Sequence, residues 1–420
     1  MRIFKYVVLI LLAIAGLAVF MITGISEGFL LRSIAADDSP KAFAVAAEAL
    51  AKQEFVGNLA LTIVHDGEVV ENYFYSKDQQ IDEYTIYQMA SVSKWVTAWG
   101  VFSLVQKGKL DLDKPVDDYL MRWHLPASEY DNNKVTARKL LSHTSGLVDG
   151  LGYLGFPNGE NIQTLEESLT MAADAIYSEG IAKVGYEPGS RYQYSGGGYT
   201  LLQLLIEEIS GQSFQEYMTK EVLLPLGMEH STFVLTDRLN WQIATLYNKD
   251  GSISEPYVYT ALAAASLYSC TNDMAKFLKA HVTENAVLSK ESLKEMTTST
   301  AFRNQIGIHG LGPHLFSGSD ENSQVIGHNG SNLKPQINTT ARIDLIDGNG
   351  IVVMEMGNES LATVIGDEWL FQQAGIADFV VIQRNKNSLI IFFVAGLIII
   401  IGIGVYLFRK RDRKSQRSIT

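Results

Sequence analysis

The sequence predicts an α+β protein, and three observations support this fold class. Hairpin patterns lie near residue 66 and near residue 348, close to the two ends of the central region. Segments with helical periodicity lie between them. An uncharged apolar run also lies near each end of the chain. Strands on either side of a helical middle are typical of α+β architecture.

Two β-hairpins are predicted from turn chemistry. In the first, Asp66-Gly67 separates the β-rich runs Leu59–His65 and Val69–Tyr75, and Asp-Gly between such runs is a strong hairpin signal. In the second, residues 347–350 form the turn, and a helix is predicted after it over Ser360–Gln373. Whether the two hairpins share one sheet does not follow from their spacing.

The middle of the chain is predicted to be mainly helical. Apolar residues recur at helical spacing in Ser91–Gln106, which Gly108 ends. Similar patterns predict helices over Tyr199–Ile209 and Thr271–His281. The glycine-rich segment before Tyr199 is predicted to be a loop.

Two apolar runs have the length of a transmembrane helix. Residues 6–25 and 389–408 contain no charge, and about 20 apolar residues cross a bilayer. The first run also resembles a signal peptide, because the small-residue site Ser33-Ile34-Ala35-Ala36 follows it, although well past the end of the run. It is longer than the roughly 7–15 apolar residues of a signal peptide. We therefore predict a transmembrane helix or signal anchor at 6–25 and a second transmembrane helix at 389–408.

Basic residues flank both runs on their terminal sides. Arg2 and Lys5 precede the first run, and the basic tail 409–420 follows the second. Basic flanks remain in the cytoplasm, so both termini are predicted to be cytoplasmic. Residues 27–383 are then predicted to lie on the periplasmic or extracellular side of the cytoplasmic membrane, with membrane lipid as a partner of both helices.

Charge and cysteine content exclude several classes of function. The chain carries −12, the first 26 residues +2 and residues 384–420 +7, which leaves −21 for the part between them. So acidic a region repels phosphate backbones, and nucleic acid is excluded as a partner. Cys270 is the only cysteine, so neither an intrachain disulfide nor a cysteine-rich zinc site is expected. No metal site and no cofactor is predicted.

Ser91 and Lys94 form a candidate Ser-x-x-Lys nucleophile motif. Ser91 stands at a predicted helix start, where free N–H groups and the positive end of the helix dipole stabilise an oxyanion. Lys94 lies one turn further on the same face and can act as a base once its pKa is lowered. Ser331–Lys334 matches the same pattern. Gly24–Gly28 matches G-x-S-x-G but follows an apolar run instead of forming a strand-to-helix elbow.

Three further segments accompany this motif. They are a polar turn, a glycine-rich loop and a glycine-flanked histidine, at Leu140–Leu147, Tyr192–Tyr199 and Gly327–Ser331. In this order they resemble the serine β-lactamase and penicillin-binding protein family, in its class C-like branch. The resemblance runs over residues 45–375 and includes the segments Met89–Lys94, Gly108–Asp113, Leu140–Leu147, Leu224–Met228 and Ser269–Phe277.

The resemblance implies a role for each matching residue. Ser91 is acylated by an amide or ester carbonyl, and Lys94 helps to remove its proton. Tyr194 shares the role of base and protonates the leaving group. His328-Asn329-Gly330 occupies the position of the family's Lys-Thr-Gly motif and contributes His328 as a catalytic residue. The oxyanion hole is formed by the backbone N–H groups of Ser91 and Ser331, beside Gly330.

The resemblance also implies the fold and the reaction class. The fold is β-lactamase/transpeptidase-like, with an antiparallel sheet flanked by helices and a helical subdomain. Gly196 stands where the family usually has asparagine, and His328 replaces a lysine. Both differences favour a peptidase or esterase acting on a small molecule or peptide, cell-wall peptides included, over a β-lactamase. A non-catalytic or acylation-only sensor on the same fold is the alternative.

Overall fold

The computed structural model describes residues 2–53, 57–150, 152–157, 159–235, 240–316 and 324–417. The chain divides into two compact units. Residues 35–366 form the central unit, and residues up to 34 together with those from 367 onward form the terminal unit.

The described residues contain twelve α-helices, numbered in chain order. Helices α1–α12 are Arg2–Ser26, Pro40–Ala51, Val92–Gln106, Ala137–Leu141, Leu165–Met171, Gly196–Ser210, Phe214–Met218, Leu262–Ala265, Thr271–Lys279, Lys290–Thr297, Leu361–Ala374 and Phe379–Arg417. The predicted helices beginning at residues 91, 271 and 360 correspond to α3, α9 and α11.

The described residues also contain sixteen strands. Strands β1–β16 are Asn58–His65, Glu68–Ser76, Tyr87–Gln88, Gly152–Tyr153, Phe156–Pro157, Ala175–Ile176, Leu246–Tyr247, Ile253–Ser254, Tyr257–Val258, Tyr268–Ser269, Ala301–Arg303, Ile306–His309, His314–Leu315, Val325–Leu333, Gln336–Asp344 and Gly350–Met356. Both predicted hairpins are present, as β1–β2 and β15–β16.

The main sheet of the central unit is antiparallel and joins the two hairpins. Its order is β11-β12-β13-β14-β15-β16-β1-β2, with β7 pairing with β15 and β8 with β7. Strand β1 pairs with β16 from Asn58–Met356 to Val64–Gly350. The first and last hairpins therefore lie side by side, a point that the sequence left open.

Helix α3 forms the centre of the core. All residues from Val92 to Leu104 are buried, as expected for a helix that is apolar on every side. Helices α6 and α8 pack on α3, and α9 packs on β15, β16 and β1. The arrangement confirms the predicted α+β fold, with an antiparallel sheet, flanking helices and a helical part.

One predicted boundary is wrong, because α6 starts three residues before Tyr199, within the segment predicted to be a loop. Ser195 is its N-cap and accepts a hydrogen bond from the Gly198 N–H at 2.8 Å. A Cβ at Gly197 would lie 2.7 Å from Cγ of Asp149. These glycines permit close packing in the first turn of a helix. The prediction was wrong because a run of glycines is also typical of a loop.

The terminal unit contains two long apolar helices that contact each other. Both α1 and α12 are long and apolar enough to cross a membrane by length and composition alone. The rings of Tyr6 and Phe408 meet edge to face at 5.7 Å, and a Cβ at Gly396 would lie 2.8 Å from Leu17. Helix α12 extends beyond the predicted 389–408 span at both ends. Residues 418–420 of the predicted tail lie outside the described residues.

Candidate active site

Ser91 stands on a constrained turn at the start of α3. Ala90 before it has φ +45°, a value that L-residues adopt at a cost. The Thr339 hydroxyl of β15 donates to the Met89 carbonyl at 2.9 Å. A Cβ at Gly330 would lie 2.2 Å from the same carbonyl oxygen. Only glycine at 330 lets strand β14 approach the turn before Ser91 this closely.

The structure brings together three of the predicted catalytic side chains. Lys94 Nζ donates to Ser91 Oγ at 3.2 Å and to the Ala264 carbonyl at 2.8 Å. Burial raises the pKa of the Tyr194 phenol, and the nearby Ser91 side chain opposes that rise. The Tyr194 ring centroid lies 4.9 Å from Nζ. The Ser91 hydroxyl is therefore within reach of an amine and a phenol at the same time.

Burial gives Lys94 the pKa that a base needs. Its side chain is 1% exposed, and desolvation lowers the pKa of the amine from 10.5 to about 7, although the negative charge of Asp149 opposes this shift. Desolvation also raises the pKa of Tyr194, so its phenol remains protonated at neutral pH. Lys94 can therefore accept the Ser91 proton, and Tyr194 can donate one.

We expect kcat/KM of the enzyme to rise with pH through about 7. The base must be neutral, and the lowered pKa of Lys94 means that its amine loses the proton near pH 7 instead of near 10.5. The profile is measured with a neutral ester, whose own charge does not change. A rate that falls as pH rises from 6 to 8 would contradict a neutral Lys94 as base.

Two residues that the sequence did not place in the site hold the segment that carries Tyr194. His143 accepts a hydrogen bond from the Ser195 N–H at Nδ1, 3.1 Å away, and its ring centroid lies 4.3 Å from that of Tyr194. Asp149 accepts bonds of 2.5 Å from the Ser195 hydroxyl and from the Gly197 N–H. No local pattern marks Asp149, because its partners lie nearly 50 residues away.

A cavity of about 340 Å³ opens onto Ser91. The residues that line it are Ala90, Ser91, Lys94, Gly152, Tyr153, Ile176, Tyr177, Tyr194, Tyr259, Ala265, His314, and 328–333 of β14. All six predicted site residues, Ser91, Lys94, Tyr194, His328, Gly330 and Ser331, are among them. A larger cleft of about 570 Å³ beside the Asp113–Arg138 ion pair has no serine or cysteine in its lining.

Tyr153 occupies the space next to Gly196. A Cβ at Gly196 would lie 2.8 Å from the Tyr153 ring. The Tyr153 hydroxyl accepts a hydrogen bond from Thr200 at 3.2 Å. A longer side chain at 196, such as asparagine, therefore has no room while Tyr153 keeps this position. The replacement of the family's asparagine by Gly196 therefore goes together with the Tyr153 ring in the cavity wall.

His328 lies in the same cavity without a hydrogen bond to the other catalytic candidates. It is 1% exposed, and its Nδ1 bonds the Asn329 carbonyl at 2.6 Å. Among the described residues, its Nε2 has no hydrogen-bond partner. Burial holds the pKa of His328 well below 6.5, so the imidazole is neutral at pH 7. It therefore does not supply the positive charge of the lysine that it replaces.

Two more histidines surround His328. The His314 ring centroid lies 4.4 Å from that of His328, and the His309 centroid lies 4.7 Å from that of His314. Burial lowers the pKa of His309 to about 4 and that of His314 well below 6.5. Neither was singled out from the sequence. Neighbouring strands bring them to His328, and no motif joins them.

The fold and this site define a class: serine hydrolases with a Ser-x-x-Lys nucleophile. A sequence model of the beta-lactamase family matches residues 44–374. The chain belongs to this family, as its motifs indicate.

Relatives and solved structures agree with this assignment. Penicillin-binding protein 4* of Bacillus subtilis is 37% identical over 157 residues, which are 37% of this chain and 32% of that protein. The octameric penicillin-binding protein homologue from Pyrococcus abyssi is 29% identical, with a TM-score of 0.66 over 80% of this chain and 77% of its own. A D-stereospecific amidohydrolase from Streptomyces, 19% identical, shares the fold with a TM-score of 0.60 over 81% of this chain and all of its own.

The relatives are longer than the part that matches. The matched segments span 32% of penicillin-binding protein 4* and 44% of protein flp from Staphylococcus aureus. The match therefore covers less than half of each of these proteins.

Proposed function

We propose that the protein is a membrane-anchored serine hydrolase that acts through an acyl-enzyme on an amide or ester carbonyl. Substrates of the D-amino-acid peptidase, carboxypeptidase or esterase type fit this site. The observation that carries the proposal is the buried amine of Lys94, with its lowered pKa, 3.2 Å from the Ser91 hydroxyl. A buried lysine with a lowered pKa beside a serine hydroxyl in a cavity is a functional-site candidate.

Acylation uses the two groups that contact Ser91. Ser91 Oγ bonds to the substrate carbonyl carbon while its proton passes to the neutral amine of Lys94. The resulting oxyanion accepts hydrogen bonds from the backbone N–H groups of Ser91 and Ser331. The bond from carbon to the leaving nitrogen or oxygen then breaks, and Tyr194 supplies the proton that the leaving group takes. Lys94 then returns the proton that it took from Ser91 to Tyr194, whose ring centroid lies 4.9 Å from Nζ.

Deacylation runs through the same groups. A water molecule loses a proton to the Lys94–Tyr194 pair and attacks the ester carbonyl, and Ser91 regains its proton as the acyl group leaves as an acid. No step requires a metal or a cofactor. The neutral His328 lines the pocket and shapes substrate binding in this scheme, without carrying charge.

The pocket supports a substrate with an apolar or aromatic part. Tyr153, Tyr177 and Tyr259 contribute three aromatic rings to the lining, and Tyr153 takes the place of an amide-recognising side chain at 196. Because His328 is neutral, its side chain does not supply the fixed cation that a lysine at this position would offer a carboxylate. Both features favour ester or D-amino-acid peptide substrates over β-lactams. The penicillin-binding names of the relatives make cell-wall peptides one source of such substrates.

Anchoring rests on α1 and α12. Both are apolar over a membrane-spanning length, and basic residues flank them on their terminal sides. The positive-inside rule then favours a cytoplasmic location for both termini. The central unit, on this proposal, acts on the periplasmic or extracellular side of the cytoplasmic membrane.

A substrate panel tests the reaction. The purified full chain is assayed with a short-chain nitrophenyl ester, a D-Ala-D-Ala peptide and nitrocefin, and each reaction is followed by intact-mass spectrometry. We expect turnover of the ester or the peptide, with nitrocefin hydrolysed more slowly and a transient acyl adduct. If none of the three substrates is turned over, the result would contradict the proposed hydrolase.

The alternative function is an acylation-only sensor on the same fold. Two features favour this alternative. Gly196 departs from the family pattern, and the two apolar helices could link an outer domain to the cytoplasm. On this alternative, the panel produces a stable acyl adduct without product. The contact of Lys94 with Ser91 serves acylation in both cases, so release of the product is what separates the hydrolase from the sensor.

A further inference from the structure

Three histidines form a cluster beside the catalytic serine. His309, His314 and His328 come from β12, β13 and β14, which are successive neighbours in the sheet. One ring nitrogen from each lies within 4.8 Å of the others. From this geometry we propose that the three imidazoles bind a divalent transition-metal ion, with Zn²⁺ the best match.

The tautomers of two of these histidines suit a metal ligand. Nδ1 of His309 bonds the Gly310 carbonyl at 2.9 Å, and Nδ1 of His328 bonds the Asn329 carbonyl at 2.6 Å. A carbonyl only accepts, so each Nδ1 must carry the hydrogen, and each Nε2 keeps its lone pair. A backbone carbonyl that holds the second nitrogen is the usual support of a metal-binding histidine.

The free nitrogens are also buried without partners. His309 is fully buried and His328 is 1% exposed, and neither Nε2 has a hydrogen-bond partner in the part of the chain that the structure describes. An unpaired buried acceptor costs stability. These two acceptors lie on the strands that flank β13, which carries His314. Both are accounted for if one ion accepts a lone pair from all three histidines.

His143 provides an internal contrast. It packs 5.0 Å from the His309 ring, and its Nε2 is also buried without a partner. Its Nδ1, however, accepts the Ser195 N–H, so its Nε2 carries the hydrogen and has no lone pair to donate. The hydrogen-bond pattern therefore separates three ligands from a fourth histidine that only packs against them.

The chemistry of the donor set favours Zn²⁺. Three neutral imidazoles with an open fourth position are a known zinc arrangement, with Zn–N distances of about 2.0–2.1 Å. Tetrahedral coordination at this distance places ligand nitrogens about 3.3 Å apart. The widest pair must then close by roughly 1.5 Å, which ring rotation about χ2 can supply. His314 and His328 both line the cavity of Ser91, so water or an anionic substrate group can fill the fourth position.

The test is metal binding by the full chain in detergent, after chelator treatment and dialysis. Zn²⁺ is measured by equilibrium dialysis, and Co²⁺ by the intense visible absorption of its tetrahedral complexes. We expect one equivalent of either ion in the wild type. His314→Ala and His309→Ala should each weaken binding by at least about 100-fold, since they remove a direct ligand.

Matched variants keep the test decisive. His124→Ala removes an exposed histidine outside the cluster and should bind Co²⁺ as the wild type does. Ser91→Ala should also bind normally, because the site does not depend on the hydrolase reaction. Circular dichroism checks that each variant is folded. If His309→Ala fails to fold, the test rests on His314→Ala, which changes a half-buried residue. No stoichiometric binding in the wild type, or equal affinity in His314→Ala, would overturn the proposal.

Discussion

Ser91→Ala is expected to lower the turnover number on the best ester or peptide substrate by about 10⁶-fold. The substitution removes the oxygen that forms the acyl bond in the proposed mechanism, while Lys94 and Tyr194 remain in place. Residual rate then comes from binding and from the oxyanion donors alone. A fluorophosphonate probe provides a second readout, because it should label the wild-type protein and leave Ser91→Ala unlabelled.

The chain offers a matched control for this variant. Ser331 begins the second Ser-x-x-Lys match and lines the same cavity, but only its backbone N–H has a proposed role. Ser331→Ala keeps that N–H, so it should retain labelling and most of the turnover. Equal labelling of wild type and Ser91→Ala, with loss in Ser331→Ala, would move the nucleophile to β14.

Lys94→Met is expected to reduce turnover by about 10⁴-fold, the upper range for loss of a general base. Methionine has a similar length and tolerates the buried position, but it cannot accept a proton from Ser91. The Ala264 carbonyl loses its 2.8 Å partner, so a small fall in the thermal midpoint is also expected. Fluorophosphonate labelling should become slower and should lose its rise with pH near 7.

Lys107→Met controls for the loss of a lysine from the same helix. This residue follows the last turn of α3, is exposed and pairs with Glu221 at 2.5 Å. Exposed pairs contribute little to stability, so this variant should keep both turnover and its pH profile. A Lys94→Met enzyme within tenfold of the wild type would assign the base to another group, with Tyr194 the next candidate.

Local patterns predicted the elements that depend on near neighbours. Asp66-Gly67 gave the first hairpin, and helical spacing after Ser91 gave α3. The Ser91–Lys94 contact also follows from one turn of helix. These predictions succeeded because each depends on a few consecutive residues, whose turn chemistry and periodicity are visible in the sequence.

Features that need distant pairing were missed. Asp149 reaches Ser195 and Gly197 only after the chain has folded. The histidine cluster depends on the register of three strands, where His309 pairs with His314 and His314 with Gly327. Spacing along the chain contains neither register nor the packing that buries a side chain. The chemistry of the Ser91–Lys94 motif requires that the pKa of Lys94 be lowered. The burial that lowers it depends on packing in the folded core, so it could not be predicted from the sequence.

The pairing of β1 with β16 affects how the protein acquires its structure. Asn58 lies opposite Met356, so the centre of the sheet is complete only when nearly the whole central unit is available. Contacts between residues so distant in sequence slow folding, and partly folded intermediates with open strand edges aggregate readily. Growing chains of this protein should therefore need protection from aggregation until β16 has been synthesised. Chains truncated before residue 350 should be insoluble.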